Sequence, residues 1–171
     1  MDEAELHQRY PKPHDASRVP DHQGRVEATI ELLKLYEVNS IADLSCGNGA
    51  IARSANAEVT ILGDLAEGYD ICGPIEETIL QIPHVEMFIL SETLEHLDDP
   101  DLVLRTIRLK SDHLILSTPL TPDGGEDRNI EHYWSWDDSD IELMLKLAGW
   151  EADHYTTFDG GFYNWQIWGC S

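Results

Sequence analysis

Basic residues are scarce in this chain: 11 Lys plus Arg stand against 33 Asp plus Glu, a formal net charge of -22 at pH 7. An average surface of that sign repels phosphate backbones and anionic membranes, so direct nucleic-acid binding is disfavoured. Acidity of this degree otherwise accompanies solubility or a salty host, because net charge speaks of association rather than of fold. Cysteine is sparse too. Cys46, Cys72 and Cys170 are far apart and odd in number, with no pair at zinc spacing, which fits free thiols in a reducing compartment and implies no metal site. Long apolar runs are missing: the start, Met1 to Asp15, is polar and unlike a signal peptide, and no later stretch is long enough to cross a bilayer. A cytoplasmic location without membrane partners is the expectation, and no internal repeat or low-complexity tract is found.

What is present suffices for one domain, since 171 residues at 42% hydrophobic content can bury a core without disulfides or metal. An N-terminal arm over residues 1–21 is expected, because Pro11, Pro13 and Pro20 forbid a continuous helix from Tyr10 to Pro20. Asp21 then reads as the N-cap of an amphipathic helix, in which Arg25, Val26, Thr29, Ile30, Leu32, Leu33 and Leu35 recur at helical spacing until about Tyr36. Strands are predicted at Ser40 to Leu44, Val59 to Leu62, weakly Tyr69 to Cys72, Met87 to Leu90 and His113 to Ser117. Helices are predicted at Ala50 to Ala55, Glu76 to Leu80, Asp101 to Leu109 and Asp138 to Leu147, the last stopped by Gly149. Strands and helices alternate as in a parallel sheet with crossovers. A polar loop from Pro119 to Ile130 follows the fifth strand. Two closing segments, Glu151 to Phe158 and Phe162 to Gly169, flank Asp159, Gly160 and Gly161, a hairpin signal.

Chemistry concentrates after the first strand, in Asp43-Leu44-Ser45-Cys46-Gly47-Asn48-Gly49. A strand end and a helix N-terminus converge on such a loop, and glycine lets a ligand approach the backbone closely. Two glycines alone fit any strand-to-helix turn. Asp64 raises the signal, standing at the end of the second strand at about the 20-residue spacing at which a carboxylate accepts both hydroxyls of a ribose. A pyrophosphate-binding loop reads G-x-G-x-x-G, whereas Gly47 and Gly49 are followed by Ile51 and Ala52, which suits a nucleoside better than a dinucleotide.

The chain at this point resembles the class I S-adenosylmethionine-dependent methyltransferases, whose first motif reads roughly D-x-G-C-G-x-G. The most specific local similarity is Phe88-Ile89-Leu90-Ser91-Glu92-Thr93-Leu94-Glu95-His96-Leu97, which is similar to the family's fourth strand and the E-x-L-E-H-L segment behind it. His113 to Pro119, the late helix running into Ala148-Gly149-Trp150 and the closing hairpin extend the resemblance over most of the chain. It implies a Rossmann-like α/β fold, mostly parallel with a C-terminal antiparallel hairpin, and S-adenosylmethionine as cofactor. Too few residues separate Asp64 from Phe88 for the family's full helix and third strand, so the sheet is expected to be shortened there.

By position the resemblance assigns Asp43, Ser45, Cys46, Gly47, Asn48 and Gly49 to the cleft around the methionine part. It assigns Asp64 and Leu65 to the ribose and adenine edge, and Ser91 and Glu92 to the opposite wall. Ser45 replaces the usual first glycine. The group that holds adenine is open: Gly73-Pro74-Ile75 stands where an acidic pattern is expected, leaving Asp70 or the backbone near Ile75. Methyl transfer from a sulfonium needs alignment and exclusion of water rather than a covalent intermediate. Where the acceptor loses a proton, His132 beside Glu131 is the candidate base, against a local packing role. His96 is read as closing the turn below the cleft and orienting Glu92. Tyr133, Trp134 and Trp136 serve either an acceptor pocket or the core. His22 and Arg25 face solvent on the simpler reading, or a cofactor beneath the folded arm, with Arg25 pairing to its carboxylate. Tyr10 is a surface aromatic or part of a lid.

Ser91-Glu92-Thr93-Leu94 lacks the Pro-Pro-aromatic signature of DNA amino-methyltransferases, and neither Cys72 nor Cys170 stands as a Pro-Cys nucleophile. The expected function is methyl transfer to a small-molecule, sugar or carboxylate acceptor. The alternatives are a binding or regulatory module that has lost turnover, a methyltransferase recruited to a macromolecule by a partner, and an unrelated nucleotide-binding domain.

Overall fold

The computed structural model describes residues 11–15, 19–122, 129–161 and 163–171, together with the backbone of the first helix throughout. Tyr10 and Phe162, and part of the predicted loop after the fifth strand, lie outside the described residues.

Helix α1 (Pro20–Leu33) begins before the predicted cap: Val19 is the N-cap in an extended conformation and Pro20 occupies the first turn. Proline is preorganised for that position, where its missing N–H removes no helical bond, so Asp21 falls inside the helix. The helix also stops at Leu33, short of Tyr36, because the Leu35 and Tyr36 amides turn back onto the Leu32 and Leu33 carbonyls. Leu35 is consequently 62% exposed. Strand β1 (Ser40–Asp43) leads through the glycine loop into α2 (Ala50–Ser54), and β2 (Val59–Asp64) follows. The expected shortening is present: β3 spans only Ile71–Cys72 and α3 only Ile75–Thr78. Strand β4 (Val85–Ser91) and a 3-10 turn at Leu94–His96 precede α4 (Pro100–Lys110), capped by the Asp99 carboxylate on the Leu102 amide at 2.9 Å.

Strand β5 (Ser111–Leu120) runs longer than predicted at both ends, because it is paired along its length by β4 on one side and β7 on the other. Helix α5 (Asp138–Leu147) carries a capping box between Asp137 and Asp140. It ends in a Schellman arrangement, in which the Gly149 and Trp150 amides reach back to the Lys146 and Leu145 carbonyls. Strands β6 (Ala152–Asp159) and β7 (Asn164–Cys170) form the antiparallel hairpin.

The seven strands form one sheet in the order β3-β2-β1-β4-β5-β7-β6, an α/β Rossmann-like arrangement. Alternation along β4 shows how both faces are covered. Phe88 and Leu90 join Leu104, Ile107, Leu114, Ile141 and Leu145 in one core, while Met87 and Ile89 join Leu32, Leu33, Ile41, Ile51 and Ile167 in the other. Gly169 permits the close approach of α1 to β7: a Cβ there would stand 2.5 Å from the Tyr36 hydroxyl and 2.7 Å from Leu32 Cδ2. Since β1, β2, β4 and β5 are parallel, Asp43, Asp64, Ser91 and Ser117 collect at one edge of the sheet. Among the described residues, no helix is long and apolar enough to cross a membrane.

Candidate functional site

The glycine loop is held by its own backbone and by the second strand. The Cys46 amide donates to the Gly63 carbonyl at 3.0 Å, and the Gly49 amide to the Cys46 carbonyl at 2.7 Å. Gly47 and Gly49 both take left-handed backbone, φ 53° and 74°, where a Cβ is strained. Asn48 closes the turn, its side-chain oxygen accepting from the Ala50 amide at 3.0 Å. Asp64 Oδ2 accepts from the Gly47 amide at 2.8 Å and its Oδ1 from the Ala66 amide at 2.9 Å. The carboxylate is thus fixed against the loop, and each oxygen keeps a further lone pair. Tyr69, unremarked in the sequence, donates its hydroxyl to the Gly47 carbonyl at 2.7 Å.

Asp43 lies beneath the loop, 2% exposed, accepting from the Ser45 amide at 3.2 Å. Burial raises its pKa to about 7 against the opposing bond from Ser45; Asp64 raises it further and Arg25 lowers it. Burial followed by the Asp43 charge pushes the Cys46 thiol up to about 12, so this cysteine is no nucleophile. Ser45 occupies the first-glycine position without strain. Its hydroxyl accepts from Thr93 Oγ1 at 2.7 Å, tying the β1 loop to the segment after β4.

Arg25 is not on a solvated helix face: it is 4% exposed and points into the cleft edge of the sheet. Its Nη1 donates to Ser91 Oγ at 2.5 Å and to Ser117 Oγ at 3.3 Å, and its Nε stands 3.9 Å from Glu92 Oε1 without a hydrogen-bond partner. Glu92 sits in left-handed backbone, φ 52°, accepting from Ser117 Oγ at 3.2 Å and from the Trp165 indole at 2.6 Å. Arg25 recurs at the spacing of the apolar stripe, yet a charged side chain there reads first as solvated, and its partners arise only from strand pairing. Ser117 is opposite Ser91 through the β4–β5 register, and Trp165 arrives on β7.

The described part of the N-terminal arm lies on the glycine loop. Asn48 Nδ2 donates to Asp15 Oδ1 at 3.0 Å, and a Cβ added to Gly47 would stand 2.6 Å from the His14 carbonyl oxygen. The His22 ring lies between His14 and Trp165, 5.6 Å from each.

Glu95, His96 and His132 form a second polar group, behind the β4 end. Glu95 is 1% exposed; its Oε2 accepts from Thr118 Oγ1 at 3.0 Å and its Oε1 has no hydrogen-bond partner. Burial, then the Glu92 charge, holds its pKa well above the ordinary carboxylate range. Burial lowers that of His96, whose Nδ1 lies 3.0 Å from the Glu131 carbonyl and whose ring meets His132 edge-on at 4.8 Å. Among the described residues no hydrogen bond joins His96 to Glu92, although the Glu92 charge acts on its ring; the His96 hydrogen bond goes to the loop after β5. The Tyr133 amide donates to the Glu95 carbonyl at 2.9 Å and the Trp134 indole to the Leu97 carbonyl at 2.7 Å, which anchors His132 over the turn. Trp136 is buried in the core and stacks on Trp134 at 6.1 Å, whereas Tyr133 and Trp134 are 45% and 42% exposed.

The structure therefore brings together the glycine loop, Asp43, Asp64, Ser91 and Glu92. Leu65 follows Asp64 and is half-buried. The Ile75 side chain is 5% exposed within the core, which leaves the backbone there as the part open to adenine. The two glycines in left-handed backbone, the carboxylate at the β2 end and the unpartnered Arg25 Nε fit an amino-acid-bearing nucleoside of the S-adenosylmethionine kind.

No protein-family model matches the sequence, and no curated protein does. Solved structures match closely in shape. Magnesium protoporphyrin IX methyltransferase from Synechocystis, with S-adenosylhomocysteine bound, has a TM-score of 0.67 at 17% identity, over 88% of this chain and 83% of its own. The 1,6-didemethyltoxoflavin-N1-methyltransferase of Burkholderia thailandensis, with its substrate and S-adenosylhomocysteine, has a TM-score of 0.68 at 12% identity over 85% and 76%. A SAM-dependent methyltransferase from Aquifex aeolicus has a TM-score of 0.67 at 14% identity over 99% and 98%. At such identities the similarity is one of fold, and the fold is that of the class I methyltransferases.

Proposed function

We propose that this chain binds S-adenosylmethionine across its glycine loop and transfers the methyl group to a small-molecule, sugar or carboxylate acceptor. The observation that carries this reading is the convergence at one sheet edge of two left-handed glycines, Asp64 and the Ser91–Glu92 wall. Solved proteins of the same fold were crystallised with S-adenosylmethionine or S-adenosylhomocysteine, which supports it.

S-adenosylmethionine bound there supplies an electrophilic methyl carbon on a sulfonium, with thioether as leaving group. Gly47 and Gly49 let the backbone approach the nucleoside, and Asp64 accepts the ribose hydroxyls with its remaining lone pairs. Arg25, already desolvated and with Nε unused, pairs with the amino-acid carboxylate. Asp43 supplies negative charge near the amino group, and that cation in turn favours its ionised form. The arm at His14 and Asp15 excludes water from the loop once the ligand is seated. His132 stands on the acceptor side, where the acceptor's proton is lost.

Titration with S-adenosylhomocysteine in a calorimeter tests the reading. Saturable binding, weakened in Asp64→Ala, is the expected result; absence of binding to the folded protein overturns it. A module that has lost turnover is the second reading, favoured by Ser45 and its bond to Thr93 across the cleft. It predicts cofactor binding without methyl transfer to any acceptor.

A further inference from the structure

Cysteine spacing pointed away from a metal, but cysteine is not where the ligating atoms are. Glu95, His96 and His132 each offer one ligand atom, and these atoms lie within 4.8 Å of one another. Donors sharing one ion at about 2.0–2.2 Å stand roughly 3–4 Å apart, and His132 Nε2 is held 3.0 Å from Asn129 Nδ2, so His132 joins the set by ligating through Nδ1 or by exchanging that bond for the ion. We propose that these three side chains bind a divalent first-row cation, held on the acceptor side of the cleft with coordination positions open to an acceptor oxygen.

Three features of the cluster point to a ligand. The Glu95 side chain is 1% exposed and its Oε1 has no hydrogen-bond partner, a costly state for a carboxylate that a bound cation resolves. The His96 Nδ1 lies 3.0 Å from the Glu131 carbonyl; a carbonyl only accepts, so Nδ1 carries the proton and Nε2 presents its lone pair. Imidazole ligands are oriented in this manner, with the remote N–H on a backbone carbonyl. Finally, the loop carrying His132 is fastened to the turn carrying Glu95 and His96 by the Tyr133 amide and the Trp134 indole, which fixes the set in advance.

Two imidazoles and one carboxylate suit Mn, Fe, Co or Zn in the divalent state better than Mg or Ca, which favour all-oxygen sites. Glu92 adds negative charge nearby, but its oxygens are engaged by Ser117 and Trp165, so three protein ligands leave positions for water or acceptor. The chemistry assigned to the ion rests on the methyltransferase reading. A hydroxyl coordinated there loses its proton more readily, and the proton passes to bulk water. The resulting oxyanion forms the C–O bond as the C–S bond breaks and its electron pair returns to sulfur; the metal is unchanged. His132 then acts on the acceptor through the ion rather than as a free base.

The test uses Co(II) alone, added to chelator-treated full-length protein in enough salt to suppress diffuse binding by the acidic surface. One equivalent is expected to bind with the visible absorption of nitrogen-ligated cobalt, and Zn(II) displaces it. His132→Ala and Glu95→Gln each weaken binding by roughly tenfold or more. His132→Ala also removes the Nε2 contact with Asn129 at 3.0 Å, so the melting temperature of both variants is measured and affinity is compared only in folded protein. Absence of a one-to-one site in the wild type, or equal affinity in a folded His132→Ala, overturns the proposal. S-adenosylhomocysteine binding is measured separately in chelator, so failure of the cofactor reading is told apart from failure of the metal site.

Discussion

Replacing Asp43 with Asn removes one ionisable proton while keeping a side-chain oxygen for the Ser45 amide, which makes it a clean probe of the buried carboxyl. Burial is the main cause that pushes its pKa up to about 7 in the folded chain, from the ordinary aspartate value of 3.8. A raised carboxyl pKa means that its stability contribution is fully present below the unfolded value and is lost as pH rises through the folded value. At about 1.4 kcal/mol per unit, the unfolded chain's readier ionisation of Asp43 costs the folded state about 2 kcal/mol at pH 5 and about 4 kcal/mol at pH 8. Asp43→Asn is therefore expected to gain roughly 2–3 kcal/mol on the wild type between these two values of pH. Urea unfolding of both proteins at each pH measures the difference of differences, in which carboxylates not coupled to Asp43 cancel. Parallel pH profiles would refute the reasoning and mean that solvent reaches Asp43. A saturating ligand with an amino group beside Asp43 should flatten the wild-type profile, a second arm of the same experiment.

Asp64→Ala should weaken S-adenosylhomocysteine binding by about 1–3 kcal/mol, the loss of charge-assisted hydrogen bonds, and an unchanged Kd by calorimetry removes Asp64 from the site. Arg25→Met leaves Glu92 without its buried cation and should lower unfolding stability by about 3–5 kcal/mol in urea, with a smaller loss indicating that water enters to replace the guanidinium. Gly169→Ala overpacks the contact with Leu32 and Tyr36 and should cost about 1–3 kcal/mol. Equal stability in thermal melts would mean that α1 moves away without strain.

Where local chemistry alone decides an element, the sequence was a reliable guide. Helix α5 follows its acidic cap and its glycine stop residue for residue, and the place of Asp64 at the end of the second strand was visible from spacing, whereas its bond to the Gly47 amide was not. The start of α1 was misplaced because two cap signals compete there, and Pro20 at the first turn overrides the carboxylate beside it. The backbone near Ile75 was assigned by analogy of position, and the buried Ile75 side chain anchors that segment to the core. Thr93, Ser117, Tyr69 and Trp165 were missed because their roles depend on register between distant strands. The one local hint was the change from apolar residues to Ser117-Thr118 toward the end of β5, the position where a parallel strand reaches its functional edge. Arg25 on an otherwise apolar stripe was a similar hint, since a buried guanidinium demands partners.

The placement of β7 between β5 and β6 bears on when the cleft comes into being. The Trp165 indole that secures Glu92 comes from 73 residues away along the chain, and the β5–β7 pairing closes a comparably long loop. Closing a loop of that length costs entropy that only the completed contact repays. An intermediate with β1, β2 and β4 already paired would have the glycine loop but not the finished wall, leaving Glu92 in left-handed backbone with nothing to secure its carboxylate. A finished cleft wall therefore requires the docked C-terminal hairpin as well as the first βαβ unit.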